Sequence, residues 1–549
     1  MAIQGWTLDW YPQLGGRYLN PLSIRESFRQ RNILVTGASG FVGKVWLAML
    51  LESVPDTGHV YLVLRSGKRS AQQRLDALLD DSPVFRAVLA RGGQSAMQRI
   101  RNRLRAINGD VSKPNLGIAD DQLELLRKQI DLVVNLAGLV DFDPDVREAA
   151  AANVVGPLFV ADFVRSCRQA RLLHVSTAFV SGKRPGRIRE AVETLSPGDH
   201  PLDAKAECNW LYDSIEREEK RSSDPNTLDE LCQELQRRGH DCGNCQRRRC
   251  VATTLAASRL RASMSRLGHD RAQSLGWANT YTYSKSLAER LLVAQPDLQL
   301  VIFRPTIVES AVSYPFAGWN EGFNTSGPII QLLGTWIRRV PVGTNKIIDL
   351  IPVDYVARGL MTAAAALLCG QHELVYQCGS SDANPIPVTR CVELSALAHR
   401  KHWQLRGRSW LERQVLSRWD ARAVTDKPRF GLSHWRRLTN GIGEVIRNPV
   451  LPLFPARWPS LEKVGRRFDV MARKIARIEA ILQIYEPFLM GASTVYECKS
   501  LARHSVLESE FRFEPQQIDW HGYMLDCHIP GLRKWCIHDS TDAASSVTG

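Results

Sequence analysis

Short apolar runs alternate with helical patterns along roughly the first 300 residues of the chain. Runs of four or five apolar residues are typical of buried strands, and the longer segments between them have the residue spacing of helices. Because strands joined through helices pair in parallel, this alternation predicts an α/β fold, a doubly wound parallel sheet of the Rossmann type. The predicted strands are 32–36, 60–64, 105–107, 132–136, 172–175 and 300–303.

Two parts of the chain depart from this alternation. Residues from about 205 to 275 are charged, rich in Cys and Arg and helical in spacing, which predicts a helical insertion in the sheet domain. After residue 395 the strand-helix rhythm stops, and 549 residues exceed what one hydrophobic core usually organises. We therefore expect an N-terminal extension at 1–28, an α/β domain at 29–395 and a mainly helical C-terminal domain at 396–549.

The charge balance favours an anionic partner. Lys and Arg outnumber Asp and Glu by 71 to 57, a formal net charge of +14, which suits a nucleotide, coenzyme A or an anionic membrane surface. No nucleic-acid-binding motif accompanies the charge, so we expect no nucleic acid partner. The most apolar stretch, 351–370, contains Asp354 and Arg358, which argues against a membrane span and leaves peripheral contact as the alternative.

Twelve cysteines are scattered along a chain whose N-terminus lacks the apolar core of a signal peptide. This pattern favours a reduced, cytoplasmic protein. One local group has a single Cys-x-x-Cys pair, which is insufficient for a zinc site, and we expect no metal. The group is Cys232, Cys242, Cys245 and Cys250, with His240 nearby.

A glycine-rich turn links the first predicted strand to a predicted helix at 44–53. Missing side chains in such a turn let a pyrophosphate approach the free N–H groups at the start of the helix. The alternative, an ordinary tight turn, is disfavoured by the strand and helix that flank it and by the second strand beyond. The turn residues assigned to cofactor binding are Thr36, Gly37, Ser39, Gly40, Phe41, Val42 and Gly43.

The end of the second predicted strand indicates which dinucleotide binds. NAD-binding units usually place Asp or Glu there to hold the ribose 2′-hydroxyl. This chain has Arg65, followed by Ser66, Lys68 and Arg69, with no acid between residues 60 and 70. These donors suit a 2′-phosphate, so the sequence predicts NADPH, and the alternative is a solvated basic loop.

Tyr281 and Lys285 are four residues apart, which places both side chains on one face of a helix. The phenol can donate a proton to a carbonyl oxygen during hydride attack, and the ammonium is expected to lower the phenol pKa from about 10 toward neutral pH. The spacing alone is common in surface helices. The strand at 172–175 ends in hydroxyls that supply a third member, Thr177, with Ser176 as the alternative, although strand-end hydroxyls also cap turns.

Five motifs carry a family resemblance. They are TGASGFVG at 36–43, HVSTAFVSG at 174–182, TYTYSK at 280–285, RPTIVES at 304–310 and DLIPVD at 349–354. In this order and spacing they resemble the alcohol-forming fatty acyl-CoA reductases of the soluble bacterial type, within the extended short-chain dehydrogenases. The likeness covers roughly residues 30–395 and continues more loosely to 528–532.

The resemblance implies an NADPH-binding reductase domain at 29–395 that reduces a long-chain acyl-CoA or acyl carrier protein thioester, through an aldehyde, to the primary alcohol. It also implies a cover over the acyl chain, for which the loop 313–323 and the region after 395 are the candidates. The oligomeric state is left open. The cofactor contacts that the resemblance adds are Asp110, Val111, Ala137, Lys285, Pro305 and Thr306.

Two positions qualify the resemblance. The run 136–139 differs from the smaller, Ala-rich run of relatives, so the wall of the nicotinamide pocket is expected to differ there. Asn153 lies on a helix that supports the site in related reductases, and an ordinary helical Asn is the equal alternative. Other functions remain to be weighed: reduction that stops at the aldehyde, a sugar-nucleotide epimerase or dehydratase of the same fold, and a sensor that binds NADPH without chemistry.

Overall fold

The computed structural model describes residues 20–237, 245–322, 325–334, 339–406 and 490–537, with single positions and short stretches of 409–425 and 476–489. Within these residues, seven strands form a parallel sheet in the spatial order 7, 6, 5, 4, 1, 2, 3. The strands are β1 (Ile33–Thr36), β2 (Val60–Leu64), β3 (Leu104–Asn108), β4 (Leu132–Asn135), β5 (Arg171–Val175), β6 (Leu300–Pro305) and β7 (Val375–Cys378).

The predicted doubly wound sheet of the Rossmann type is confirmed. Six of the seven strands coincide with predicted apolar runs, and their ends differ by at most two residues. The seventh strand, β7, was not among the predicted ones and pairs with β6 at the edge of the sheet. The strand order reverses between β1 and β4, and open α/β sheets bind their ligands at the carboxyl ends of the strands beside such a reversal.

Helices cover both faces of the sheet. On one face α2, α4 and α13 bury the apolar core between them and the strands, and on the other face α5 and α7 do the same. The helices are α1 (Ile24–Phe28), α2 (Phe41–Ser53), α3 (Ala71–Asp81), α4 (Pro83–Arg103), α5 (Asp120–Gln129), α6 (Val146–Ala149), α7 (Gly156–Ser166), α8 (Ala204–Ser223), α9 (Pro225–Arg237), α10 (Cys245–Ser274), α11 (Thr280–Val293), α12 (Gly327–Leu333), α13 (Val353–Cys369), α14 (Val388–Arg406), α15 (Lys499–Ala502), α16 (Trp520–Gly522) and α17 (Ile529–Trp535).

Two π-helical segments and several short elements complete the described chain. The π-helical segments are Ala150–Val155, between α6 and α7, and Tyr523–His528, before α17. Short 3-10 turns occur at Pro114–Gly117, Ala178–Ser181, Ser509–Phe511 and Pro515–Gln517. Outside the main sheet, two-residue and three-residue strands pair as Ile307–Glu309 with Leu350–Pro352, Gly186–Ile188 with Thr494–Tyr496, Arg339–Pro341 with Arg422–Val424, and Ile347–Ile348 with Ile386–Pro387.

The most apolar stretch of the sequence forms helix α13, which is buried against the sheet. It ends at Gly370, whose φ of 70° is the left-handed conformation that favours glycine at a helix end. Asp354 is buried in its first turn, where the carboxylate accepts the N–H groups of Val312, Ser313 and Tyr314. In the part of the chain that the structure describes, no helix is long and apolar enough to cross a membrane.

Helices α8, α9 and α10 lie between β5 and β6 in the chain. α8 and α10 pack on α11 around an apolar cluster that includes Leu211, Met264, Trp277 and Tyr283, and α9 packs on α8 and α10. The domain boundaries at 28 and 395 stay predictions, because much of the C-terminal part lies outside the described residues. The same holds for the predicted absence of a metal, since His240, Cys242 and the side chain of Cys245 also lie outside them.

Candidate active site

The glycine turn between β1 and α2 has the shape of a dinucleotide cradle. Gly37 has a φ of +71°, and a Cβ atom added there would lie 2.5 Å from the Leu136 carbonyl carbon. A Cβ atom on Gly43 would lie 2.5 Å from the Gly37 carbonyl oxygen. Gly40 precedes α2 and offers no side-chain cap, so the first N–H groups of this 13-residue helix face the turn without one. These residues fit a bound pyrophosphate.

A chain of buried hydrogen bonds fixes the strand ends behind this turn. Thr36 Oγ1 donates to Asn135 Oδ1 at 2.6 Å and accepts the Ala137 N–H at 3.3 Å. Asn135 Nδ2 lies 3.0 Å from His174 Nδ1 at the end of β5. Thr36 and Ala137, both predicted to bind the cofactor, therefore hold the floor of the cradle in place.

Arg65 and Asp110 lie together at the ends of β2 and β3. Burial raises the pKa of the Asp110 carboxyl, but hydrogen bonds from Ser112 and the charge of Arg65 outweigh burial and leave that pKa below its ordinary value. Arg65 itself is exposed. Arg65, Asp110 and Val111 do not line the cavity that contains Tyr281 and Lys285. They lie instead at the ends of β2 and β3, where the adenosine part of a dinucleotide lies in this fold.

Helix α11 brings Tyr281 and Lys285 to one face. Its N-terminus is fixed because Asn279 Oδ1 accepts the Thr282 N–H at 3.0 Å, and the Tyr281 N–H donates to the Phe142 carbonyl at 3.1 Å. Lys285 is buried, and its Nζ donates to the Val175 carbonyl oxygen at 3.0 Å. The ammonium therefore sits at the end of β5, beside the predicted hydroxyl residues.

Thr177 and Ser176 both lie at this strand end. The Thr177 side chain is hydrogen-bonded to the Tyr281 phenol and also accepts the Phe179 N–H at 3.3 Å. Ser176 is buried, and its Oγ has no hydrogen-bond partner among the described residues. The structure thus brings Thr177, Tyr281 and Lys285 together, and the Ser176 hydroxyl is buried beside the same cavity.

The predicted effect of Lys285 on the Tyr281 phenol is wrong for the structure described. Burial raises the pKa of Tyr281 to about 12, and the hydrogen bond from Thr177 only partly opposes it. Burial also lowers the pKa of Lys285 to about 8, against the opposing charge of Glu289. The reason is desolvation, which penalises the charged form of both groups. A phenol with this pKa stays protonated at neutral pH, as a proton donor must.

Asn153 supports the site through its contacts with the run 136–139. Its side chain is fully buried in the π-helical segment Ala150–Val155, a kind of bulge frequent at functional sites. It accepts the Leu139 N–H at 2.8 Å, and its amide donates to the Leu139 carbonyl and to Ser284 Oγ. Gly138 leaves room for the ammonium, since an added Cβ would lie 2.9 Å from Lys285 Nζ.

Tyr283, the other tyrosine of the motif, points away from the site. It is buried, and its hydroxyl donates to the Glu207 carboxylate of helix α8. Arg271 of α10 pairs with the same carboxylate. Tyr283 therefore ties α11 to the inserted helices, which leaves Tyr281 as the tyrosine that faces Lys285.

A cavity of about 570 Å³, here called the catalytic cavity, joins the glycine turn to the Tyr281 and Lys285 side chains. Beyond them its wall becomes apolar, with Ile329, Leu333, Leu350, Val388, Val392 and Leu489. Its volume falls within the range of small-molecule sites. The predicted residues that line it are Gly37, Gly40, Phe41, Val42, Gly43, Thr177, Tyr281, Lys285, Pro305 and Thr306.

Thr306 contributes differently from the cofactor contact that was expected. Its hydroxyl donates to Asp349 Oδ1 at 2.9 Å, and its N–H donates to the Cys378 carbonyl at 3.0 Å. Both polar groups are therefore used within the protein. Only the remaining surface of Thr306 and the adjacent Pro305 face the cavity.

The cover of the cavity comes from the loop after β6 and the C-terminal segment. The rings of Phe316 and Trp319 pack on Trp535 with centroid distances of 5.7 and 5.1 Å. His528 Nδ1 lies 2.9 Å from Ser310 Oγ and its Nε2 lies 2.9 Å from Ser326 Oγ. His528 thus joins the C-terminal segment to the two ends of the loop.

Sequence reasoning assigned no role to His174 or His528. Burial lowers the pKa of His174 well below its ordinary value, with a smaller contribution from Lys285, so this imidazole is neutral beside the site. Both histidines stand inside segments that the sequence had singled out, at 174–182 and 528–532. Their position in those motifs was the available signal, but their partners come from elements distant in the chain.

The fold and the site define a class of protein: a Rossmann-type α/β protein in which a dinucleotide cradle adjoins a Thr, Tyr and Lys group. Comparison with known proteins narrows the class. The chain matches the family described as Male sterility protein over residues 35–360.

Relatives match along most of their length. The chain is 30% identical to the probable fatty acyl-CoA reductase 4 of Arabidopsis thaliana, over 92% of this chain and 97% of that protein. It is 28% identical to the alcohol-forming fatty acyl-CoA reductase of Simmondsia chinensis, over 93% of this chain and 98% of that protein. The crystal structure of the terminal R domain from the myxalamid PKS-NRPS biosynthetic pathway shares the fold, with a TM-score of 0.52 at 15% identity over 92% of this chain and 91% of that one. The chain belongs to the fatty acyl-CoA reductase family.

Proposed function

We propose that the protein reduces long-chain fatty acyl thioesters to primary alcohols with NADPH. The observation that carries the proposal is the catalytic cavity, in which the hydroxyls of Thr177 and Tyr281 lie between a dinucleotide cradle and an apolar wall. A long acyl chain needs such a wall, and its carbonyl needs such donors. The relatives named for fatty acyl-CoA reduction support the same substrate class.

The cofactor proposal rests on the donors at the end of β2. Arg65 is exposed there, and its charge helps to lower the pKa of Asp110. Because Asp110 already accepts the N–H and hydroxyl of Ser112, we assign the 2′-phosphate to Arg65. A guanidinium binds phosphate through two parallel hydrogen bonds, which a ribose hydroxyl cannot match.

Each side chain of the site has a separate role in the reduction. The bound reduced nicotinamide supplies a hydride to the carbonyl carbon. Tyr281, protonated at neutral pH, donates the proton to the carbonyl oxygen, and the Thr177 hydroxyl beside the phenol donates to the developing oxyanion when substrate is bound. Lys285 places a positive charge at the end of β5 that favours the negative oxygen.

The reaction needs no covalent acyl-enzyme intermediate. In the first reduction the thioester carbonyl gains a hydride and a proton, and the resulting hemithioacetal loses the thiol to give the aldehyde. In the second, the aldehyde gains a hydride and a proton and becomes the alcohol. Cys391 lines the catalytic cavity, but burial raises its pKa to about 12, so it stays a thiol and a poor nucleophile.

The apolar wall also explains why the aldehyde would stay for a second reduction. Each buried methylene stabilises the bound chain by about 0.8 kcal/mol. The same wall argues against a sugar-nucleotide substrate, whose hydroxyls would lie unpaired against Ile329, Val388 and Val392. The catalytic cavity does not discriminate between coenzyme A and acyl carrier protein as the thiol carrier.

The test is a product assay on a narrowed cavity. Purified protein is incubated with NADPH and palmitoyl-CoA or decanoyl-CoA, and products are identified by mass. The wild type should form the alcohol from both. Cys391→Phe should lower kcat/KM for palmitoyl-CoA more than for decanoyl-CoA, because the added ring fills space that only the longer chain needs.

Cys369→Phe is the matched control, since Cys369 is exposed at the end of α13 and should leave both substrates unchanged. Equal losses for the two chain lengths in Cys391→Phe would show that this cavity does not hold the acyl chain. The same assay with NADH in place of NADPH tests the cofactor assignment, and equal kcat/KM with both would contradict the role given to Arg65.

A further inference from the structure

A second cavity, of about 780 Å³, adjoins the catalytic cavity. Its walls come from the turn after the catalytic Thr177, from helix α10 of the insertion, and from the segments 346–349 and 490–494. Polar side chains make up much of its lining, in contrast to the apolar wall of the catalytic cavity. They include Lys183, His269, Gln273, Asn279 and Lys346.

The two cavities meet at an aromatic wall. Phe142, Phe179 and Phe488 line both of them. The ring centroid of Phe488 lies 5.2 Å from that of Phe179 and 6.0 Å from that of Phe142. Thr282, which follows Tyr281 in α11, also lines both cavities. A substrate whose carbonyl lies at Tyr281 can therefore extend from the junction into either cavity.

An acyl thioester has two arms of opposite character. The acyl arm is a hydrocarbon and matches the apolar wall that contains Val388 and Val392. The thiol arm of coenzyme A or of a carrier protein is phosphopantetheine, which has two amides, a hydroxyl and a phosphate. Amides and hydroxyls lose free energy when they are buried without hydrogen-bond partners, so this arm needs a polar channel.

Lys183 is the cation of the second cavity that is best placed for a phosphate. It is exposed, and its Nζ donates to the neutral Gln273 Oε1 at 2.9 Å. Among the described residues Lys183 makes no ion pair, whereas His269 Nδ1 lies 2.9 Å from Asp143 Oδ1. Lys346 is buried and donates to the Ala492 carbonyl at 2.7 Å. Two further carboxylates line the cavity, Asp349 and Glu486.

We propose that the second cavity binds the phosphopantetheine arm of the thioester, with Lys183 contacting its phosphate and His269 and Gln273 beside it. The proposal presupposes the thioester reduction described above and adds where the thiol side of the substrate lies. It gives the inserted helix α10 a role, since His269 and Gln273 belong to it. The thioester then spans the aromatic wall, with its carbonyl at Tyr281 and one arm in each cavity.

The test compares a substrate that has the arm with one that lacks it. Palmitoyl-CoA carries pantetheine, whereas hexadecanal, the product of the first reduction, does not. Lys183→Glu should raise KM for palmitoyl-CoA by about tenfold or more, because a charge-assisted hydrogen bond to phosphate is replaced by repulsion. KM for hexadecanal should stay within about twofold of the wild-type value. Lys128→Glu, at an exposed lysine of α5 whose partner is Glu124, is the control and should change neither.

A second variant fills the cavity without changing its charge. Ala492 is exposed, and Lys346 contacts only its backbone carbonyl, so Ala492→Trp should preserve the fold. It should also raise KM for palmitoyl-CoA and spare hexadecanal. An unchanged KM for the thioester in both variants, or an equal rise for thioester and aldehyde, would overturn the proposal.

Two further comparisons complete the experiment. One distinguishes coenzyme A from acyl carrier protein as the thiol carrier, and the other distinguishes failure of the proposed function from failure of the pantetheine site. A KM effect with palmitoyl-CoA or with palmitoyl acyl carrier protein supports the site, and the carrier that shows it is the one that binds. If wild-type protein reduces hexadecanal but neither thioester, the proposed function is wrong and the pantetheine site falls with it. If wild-type protein reduces the thioesters and the variants do so equally well, only the pantetheine site is wrong.

Discussion

Tyr281 combines two properties that a proton donor needs. Burial keeps its phenol protonated, and the hydrogen bond from Thr177 orients it at the end of β5. Tyr281→Phe should keep NADPH affinity and lower kcat by about 10²- to 10⁴-fold, the usual contribution of a positioned proton donor. Stopped-flow turnover with palmitoyl-CoA and a fluorescence titration of NADPH measure the two effects.

Tyr283→Phe is the matched control for that substitution, because the two tyrosines lie on the same helix and only Tyr281 faces the cavity. Losing the hydrogen bond to Glu207 should lower the free energy of unfolding by about 1–3 kcal/mol and leave kcat within a few-fold. A Tyr281→Phe protein with near-normal kcat would remove the proposed proton donor.

Lys285 makes the reaction sensitive to pH. Burial lowers its pKa to about 8, so the ammonium is present below that pH and lost above it. The pKa of Tyr281, about 12, lies beyond the working range and contributes no change there. We expect kcat/KM for palmitoyl-CoA to fall as the pH rises through about 8.

Lys285→Arg separates the charge from its titration. A guanidinium stays protonated throughout the working range, so the variant should be slower but flat between about pH 7 and 10. A descending limb that stays near pH 8 in the arginine variant would assign that limb to another group.

For individual residues, the sequence predicted which side chains lie together in the site but not the direction in which their pKa values shift. Spacing placed Tyr281 beside Lys285, because i and i+4 share a helix face. The direction of the Tyr281 pKa shift depends on burial within the folded protein, and no local pattern reports that burial.

Helix α11 is held in place from both ends. Asn279 caps its start, and near its other end Glu289 pairs with Arg304 of β6. The exposed fractions of the Arg304 and Glu289 side chains are only 4% and 2%. Because Glu289 also favours the charged form of Lys285, this pair connects the sheet to the active-site ammonium.

Glu289→Gln should therefore destabilise the protein strongly. It leaves the Arg304 charge buried without its partner, which costs about 3–5 kcal/mol in the free energy of unfolding. Urea denaturation measures the change. Glu373→Gln breaks the exposed pair with Arg503 and should cost less than about 1 kcal/mol. Equal effects of the two substitutions would mean that burial of the Arg304 pair has no energetic weight.

Elements were predictable where burial follows from apolar sequence alone. β2 is a run of five apolar residues and was found at its true bounds. β7 contains Gln377, a polar residue that is nevertheless fully buried. Its amide donates to the carbonyls of Ile188 and Glu497, so the strand tolerates it through tertiary hydrogen bonds that its own sequence does not show.

The whole molecule encloses the catalytic cavity by bringing distant parts of the chain together. His528, from the C-terminal segment, lies within hydrogen-bonding distance of Ser310 and Ser326 on either side of the loop that follows β6. Met524 and His528 line the cavity directly. An aldehyde formed at Tyr281 is thus surrounded by both the sheet domain and this segment, which favours a second reduction over release.

The most direct test of the account is the stoichiometry of reduction with an aldehyde trap present. NADPH oxidation is followed while palmitoyl-CoA is consumed, with and without a hydrazine, and the products are identified by mass. The account predicts two NADPH oxidised per thioester, the primary alcohol as the main product, and little trapped aldehyde, because the chain stays in the apolar cavity between the two reductions. One NADPH per thioester, stoichiometric hydrazone and no alcohol in the untrapped reaction would contradict it.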